Sequence, residues 1–233
     1  MSSKAPAPPV IDPSRPTIIL CVGKKHSGKS VAARYLWDSW PYDALCIDPT
    51  GDAHPPGATP ITLPLPTKFP ARGEDGQPLR LVFTPDPGSD TYLDDLDRGM
   101  GLALYPKDRP VLLWIDEVGE LASSQSRAAV MQRRLLNQSR HYRTSALACG
   151  PRPKKIDPLW ISQADFVLVY ELPNPDDRDK IADNIGFPPA KFSAYCEQMD
   201  RRNAEHPEAP YWFLLWDAKR KLLFLMPPMP EVP

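Results

Sequence analysis

Eight consecutive residues, Gly23-Lys24-Lys25-His26-Ser27-Gly28-Lys29-Ser30, fill every fixed position of the phosphate-binding pattern G-x-x-x-x-G-K-[ST]. A short apolar run, Ile18 to Val22, precedes them, and Ala32, Tyr35, Leu36 and Trp40 follow at three- and four-residue intervals. That context predicts a strand, a tight loop and a helix starting near Gly28. The spelling has an electrostatic reason. A triphosphate needs several backbone N–H groups pointing inward at once, and glycine lets the backbone close around it. The helix N-terminus adds unpaired N–H groups and the positive end of its dipole. The stretch from Gly23 to Val31 is therefore the expected nucleotide cradle, with Lys29 reaching the β- and γ-phosphates and the Ser30 hydroxyl directed at Mg²⁺. The bland alternative is a glycine-rich turn without a ligand.

A second reactive pair stands at Asp116-Glu117, where the apolar run Val111 to Ile115 ends. A buried strand holds an acidic tip rigidly. Asp116 is then placed to hold the metal and its waters, and Glu117 to polarise an attacking water. The same pattern often does no more than cap a helix, but its position downstream of the phosphate loop favours the chemical reading.

The elements that position these groups follow from periodicity. Ala44 to Asp48 reads as a second strand, ending in a turn Asp48-Pro49-Thr50-Gly51-Asp52 that either contacts ligand or is capped by Asp48. Leu79 to Thr84 reads as a third strand and Thr91 to Tyr105 as a helix leading to the acidic strand. A helix from Ser123 to Tyr142 has an apolar stripe at Ala128, Met131, Leu135 and Tyr142, with Arg133, Asn137 and Arg140 on another face. A fifth strand covers Ser145 to Cys149. Asp157-Pro158 and Asn174-Pro175 each open a helix in the order of acceptor side chain and then proline, and Gly186 closes the second. Phe166 to Tyr170 is a sixth strand between them. Phe192, Tyr195, Cys196 and Met199 share one helical face, and a hairpin over 211–226 finishes the fold.

Composition bounds the rest. The 42% hydrophobic content supports a sizeable core, so one large domain over 17–226 is expected. With 28 basic and 29 acidic residues the global field is weak, so any nucleic-acid contact must use a local patch. Cys21, Cys46, Cys149 and Cys196 have no pairing or metal spacing and read as buried thiols of a reducing compartment. No run approaches a membrane span, and no signal-peptide pattern opens the sequence, which gives a soluble intracellular expectation. The prolines gather in an arm at 1–16, a loop at 54–78 and a tail at 227–233.

Beyond the two nucleotide motifs, the words IDPTGD, LLWIDE, QSRHYR, ALACGPRP and SQADFVLVYELPNPDDR carry a resemblance to the HerA/FtsK superfamily of DNA-pumping ATPases, and within it to the small viral genome-packaging ATPases. The resemblance spans Thr17 to Gly186. It implies a RecA-like P-loop NTPase of the additional-strand, catalytic-Glu class: an α/β fold with a mostly parallel sheet flanked by helices. It also implies ATP hydrolysis with Mg²⁺, the roles given above for Lys29, Ser30, Asp116 and Glu117, and a trans-acting arginine finger at Arg140 or Arg143. Where the family has a glutamine that senses the γ-phosphate, this chain has Pro151, so Arg152 or Gln163 is left for that contact. The implied partners are double-stranded DNA, further copies in a hexameric or pentameric ring, and a capsid vertex, with localisation in the host cytoplasm or on the virion. Lys154, Lys155, Arg201 and Arg202 are candidates to touch DNA phosphates. Plasmid or conjugative transfer, a P-loop kinase and a nucleotide-dependent assembly switch are the alternative functions.

Overall fold

The chain is described by a computed structural model over residues 7–106, 108–122 and 128–230. Five of its strands are buried along their whole length, the signature of a sheet covered on both faces. In chain order, β1 (Ile18–Val22) leads through the phosphate loop into α1 (Lys29–Asp38), followed by β2 (Asp43–Ile47), β3 (Thr59–Ile61) and β4 (Arg80–Phe83). Next come α2 (Tyr92–Leu104), β5 (Val111–Ile115), α3 (Gly119–Ala122), α4 (Ala128–Tyr142) and β6 (Thr144–Gly150). A short 3₁₀ turn leads to α5 (Pro158–Gln163), β7 (Phe166–Val169), α6 (Pro175–Ile185), α7 (Pro189–Glu205) and the hairpin β8 (Phe213–Asp217) and β9 (Leu222–Met226).

These strands form one sheet in the order β3-β4-β2-β5-β6-β1-β7-β8-β9. The first seven positions are parallel, and β8 and β9 add an antiparallel edge. The inserted β6 pairs with both β1 and β5, with Cys21 beside Cys149 and Ile115 beside Ala148. The expected additional-strand, mostly parallel fold is what the chain adopts.

Alternation along the strands divides the core. Ile18, Leu20 and Val22 face the layer of α2, α4, α5, α6 and α7, whereas Ile19 and Cys21 face the layer that holds α1 with Trp37 and Trp40. The four cysteines are free and buried. Among the described residues no helix is long and apolar enough to cross a membrane.

The structure adds detail beyond the sequence expectation. The proline-rich loop contains β3, a parallel edge strand that pairs Pro60 opposite Val82, because an outermost strand can spare the N–H that proline lacks. That loop is also pinned: buried Asp43 Oδ1 accepts from Arg72 Nε at 2.8 Å and from the Leu79 N–H at 2.9 Å, and its Oδ2 is ion-paired with Arg109 at 2.8 Å. The helix expected over 123–142 is described from Ala128 onward, its first five residues lying outside the described residues. In the N-terminal arm, Ile11 packs on the core and the Ala7 carbonyl accepts a bond from Arg220 Nη1 at 2.8 Å.

Candidate nucleotide site

The phosphate loop is held by its neighbours before any ligand is considered. The Gly23 N–H donates to the Gly150 carbonyl at 3.4 Å, and the Lys24 N–H donates to the Glu171 carbonyl at 2.8 Å. The Lys24 ammonium also pairs with the Glu171 carboxylate at 2.5 Å. Inside the loop, Ser27 Oγ and Lys29 Nζ both donate to the Lys24 carbonyl, at 2.8 and 2.7 Å. Gly28 sits left-handed at φ 103° as the N-cap of α1, with no side chain capping the helix. The first-turn N–H groups of α1 therefore have no competing acceptor from the cap and point where an anion would lie. Gly23 is required by crowding: a Cβ there would stand 2.6 Å from Tyr170 Cβ.

The acidic pair lies on the same edge. Through Ala148 of β6, Ile115 at the end of parallel β5 is level with Leu20 of β1, and the two strands lie two strand spacings apart, about 10 Å. The Asp116 N–H donates to the Ile47 carbonyl on β2 at 3.0 Å, whereas the Val118 N–H donates to the Cys149 carbonyl on β6 at 2.7 Å. Between them Glu117 takes a left-handed φ of 61°, which swings the chain from the β2 side to the β6 side, toward the phosphate loop. A non-glycine residue in that conformation is strained, and such strain concentrates at sites that must aim a side chain.

Burial dominates the electrostatics. Asp116 is pushed up to about 6, first by burial and then by the neighbouring Asp48, with Lys29 opposing. Glu117 is raised by burial and by Asp116, and Lys29 is lowered by burial while both carboxylates pull it back. Lys29, Asp116 and Glu117 thus share one field. Desolvated like charges of this kind gain most from a cation or a positioned water.

Magnesium fits this donor set. The oxygens of Ser30 and Asp116 are hard ligands, and Mg²⁺ is ordinarily held by one or two protein oxygens with phosphates and water completing the shell. Among the described residues no group of three His, Cys, Asp or Glu could hold a metal without such help.

The remaining expectations are placed as follows. Asp48 is the turn cap: its oxygens take the Gly51 and Ala53 N–H groups at 2.9 and 3.0 Å, leaving it to act on the site only through its charge on Asp116. Arg152, beyond β6, is on the phosphate edge and pairs with Asp177 at 3.6 Å. Gln163 is not on that edge, because α5 runs back across the sheet and delivers it to the start of β7, two residues before Asp165, whose carboxylate takes the Ile18 N–H at 2.8 Å. It cannot sense a phosphate held by its own loop. Arg140 and Arg143, at the end of α4, also lie at the opposite edge: Arg140 lines a groove with Thr17 and Asp165, and Arg143 Nη1 donates to the Asp108 carbonyl at 3.1 Å. Of the candidate DNA contacts, Lys154 pairs with Asp176 and Arg202 with Glu205, while Lys155 and Arg201 are exposed.

One residue of the site was not anticipated. Tyr211 lines the cleft over the phosphate loop together with His26 to Val31. Its sequence signal, Pro-Tyr-Trp just ahead of the hairpin, reads equally well as the first residues of a strand.

A left-handed glycine loop on β1, an inserted β6 and an acidic tip on β5 together define a P-loop NTPase fold of the additional-strand class. Among solved structures, the chain is similar to the genome packaging NTPase B204 from Sulfolobus turreted icosahedral virus 2 in complex with AMPPCP, at 16% identity and TM-score 0.67, covering 94% of this chain and 100% of that one. The complex of that protein with AMP gives 17% identity and TM-score 0.66, with 94% and 100% covered. B204, the DNA-packaging ATPase from Sulfolobus turreted icosahedral virus, gives 17% identity and TM-score 0.64, with 93% and 100% covered. No protein-family model matches the sequence, and no curated protein does.

Proposed function

We propose that the chain is an ATP-hydrolysing motor that works as a ring of copies and moves double-stranded DNA, with packaging into a viral shell as the task. The observation that carries the reading is the shared edge: Lys29, Asp116 and Glu117 converge across β6, while Arg140 stands at the far end of the same strands. The likeness to packaging NTPases over nearly the whole chain supports the same conclusion.

In this mechanism the N–H groups at the start of α1 and the Lys29 ammonium bind the β- and γ-phosphates. Ser30 and Asp116 would hold Mg²⁺, which when bound neutralises the charge that develops on the phosphoryl oxygens. Glu117, aimed by its left-handed backbone, accepts a hydrogen bond from the attacking water and orients it in line with the γ-phosphate. Five strand residues separate the Lys29 edge from the Arg140 edge, about 17 Å, so an arginine from the end of α4 can reach only the nucleotide of another copy. Arg140 is the better finger of the two, because the Arg143 guanidinium is engaged by the Asp108 carbonyl.

The test is an ATPase assay with and without double-stranded DNA, with oligomeric state measured in parallel by light scattering. The expected result is DNA-stimulated hydrolysis in a multimeric species. Hydrolysis by a strict monomer, indifferent to DNA, would overturn the motor.

A further inference from the structure

We infer that Tyr211 is the stacking platform for the base of the bound nucleotide, a proposal that rests on the nucleotide reading of the phosphate loop. The loop and Tyr211 line one open cleft of about 190 Å³, and among its described lining residues Tyr211 contributes the one large aromatic face. The γ-phosphate end of a bound nucleotide points toward Glu117, across β6. The other end, carrying ribose and base, must leave the loop along the first turn of α1, past Ser30 and Val31, which are the residues that share the cleft with Tyr211.

Tyr211 is held there at a cost. Its φ is 83°, a left-handed conformation that an aromatic residue adopts only when its surroundings impose it. The imposing contacts come from α7, where Asn203 Oδ1 accepts the Trp212 N–H at 2.8 Å and Asn203 Nδ2 donates to the Trp212 carbonyl at 3.5 Å. The Arg202 guanidinium lies 5.9 Å from the centre of the Trp212 ring, and His206 stacks on that ring at 6.1 Å. The next residue is fixed and Tyr211 is turned back onto the loop, where a Cβ on Gly28 would stand 2.5 Å from Tyr211 Cβ. Gly28 therefore serves two needs, the left-handed cap and the close approach of this ring. Tyr211 packs in part against the core layer that holds α1 and is otherwise half-buried at the cleft, so its ring is braced from behind and open in front.

Stacking on a tyrosine face recognises the class of ligand rather than its letter, because every base presents a π-face. The site should accept nucleoside triphosphates generally and hold the larger purines more tightly than pyrimidines. Calorimetric titration of the full chain with ATP, AMP and inorganic tripolyphosphate, each with Mg²⁺, separates the base from the phosphates. Tyr211→Ala and Tyr211→Leu should weaken ATP and AMP about 10- to 100-fold and leave tripolyphosphate within about twofold, while Tyr211→Phe binds all three like the native chain. Equal loss of tripolyphosphate in the Ala and Leu variants would reduce Tyr211 to a brace for the loop and overturn the proposal. So would native ATP affinity in Tyr211→Leu, a variant that keeps bulk without a π-face. A native chain that binds neither ATP nor tripolyphosphate would instead sink the nucleotide reading, and the two failures are told apart by that control.

Discussion

At the carboxyl edge of the sheet the candidate groups are crowded and half-buried: burial lowers Lys29 and raises Asp116 and Glu117, and Lys29 feels both carboxylates. At the amino edge the cations are wet. Arg140 is exposed in an open groove of about 860 Å³, walled by the proline-rich arm and by Lys219 and Arg220 of the β8–β9 turn. The first edge carries the groups proposed to bind and cleave a phosphoanhydride, and its arginine beyond β6, Arg152, is paired with Asp177. The second has a guanidinium, that of Arg140, with no hydrogen-bond or ion-pair partner among the described residues, and no phosphate loop. A parallel sheet keeps the two ends apart in every copy, so on the proposed mechanism the exposed edge of one copy would meet the phosphate edge of the next.

The comparison breaks most visibly if Arg140 is removed. Arg140→Ala should lower turnover by about 10³-fold or more while leaving ATP affinity nearly native, the loss expected of a missing finger. Mixing it with Lys29→Ala subunits, themselves inactive, should restore part of the activity in steady-state assays, and a mixture as dead as its components would mean that the edges do not meet. Glu117→Gln should come next, cutting the single-turnover rate by about 10²- to 10⁴-fold with ATP still bound. Gly28→Ala should weaken ATP and tripolyphosphate alike, because the new methyl collides with Tyr211 and strains the left-handed cap. Titration of both ligands checks this, and native affinity would show the loop to be more yielding than its geometry implies.

Stability changes should be local to neither edge's chemistry. Asp43→Ala strips the anchor shared by Arg72 and Arg109 and should cost about 3 kcal/mol in denaturant unfolding, the lower end for breaking a buried ion pair because both arginines keep some solvent. Arg220→Ala loses the Ala7 contact along with its bond to Asp217 and should cost only about 1 kcal/mol by the same measurement.

Much of this was legible in the sequence because the signals were local. The phosphate loop, the proline-opened helices at Pro158 and Pro175 and the Gly186 stop are each written in a few adjacent residues, and the structure places them as read. The acidic strand and its sheet edge also followed from one apolar run. What escaped depends on residues far apart in the chain. Tyr211 meets Gly28 only after α7 and its Asn203 clamp have packed, and β3 exists only because β4 offers it an edge. Gln163 shows the same limit: the letters around it name a candidate sensor, but the direction of the short α5, which sets its edge of the sheet, is not carried by them.

The strand that sets the gap between the two halves of the site carries no reactive group. β6 reads Thr-Ser-Ala-Leu-Ala-Cys-Gly, and it acts as a gauge block whose width fixes how far the jaws stand open. Its last residue is packed so tightly that a methyl on Gly150 would press Ile156 Cδ1 at 2.8 Å and Val118 Cγ1 at 3.2 Å, the latter on the residue that follows Glu117. A change of one carbon in this silent strand would press on the residue beside Glu117 and tilt the carboxylate proposed to hold the water, without touching that carboxylate itself.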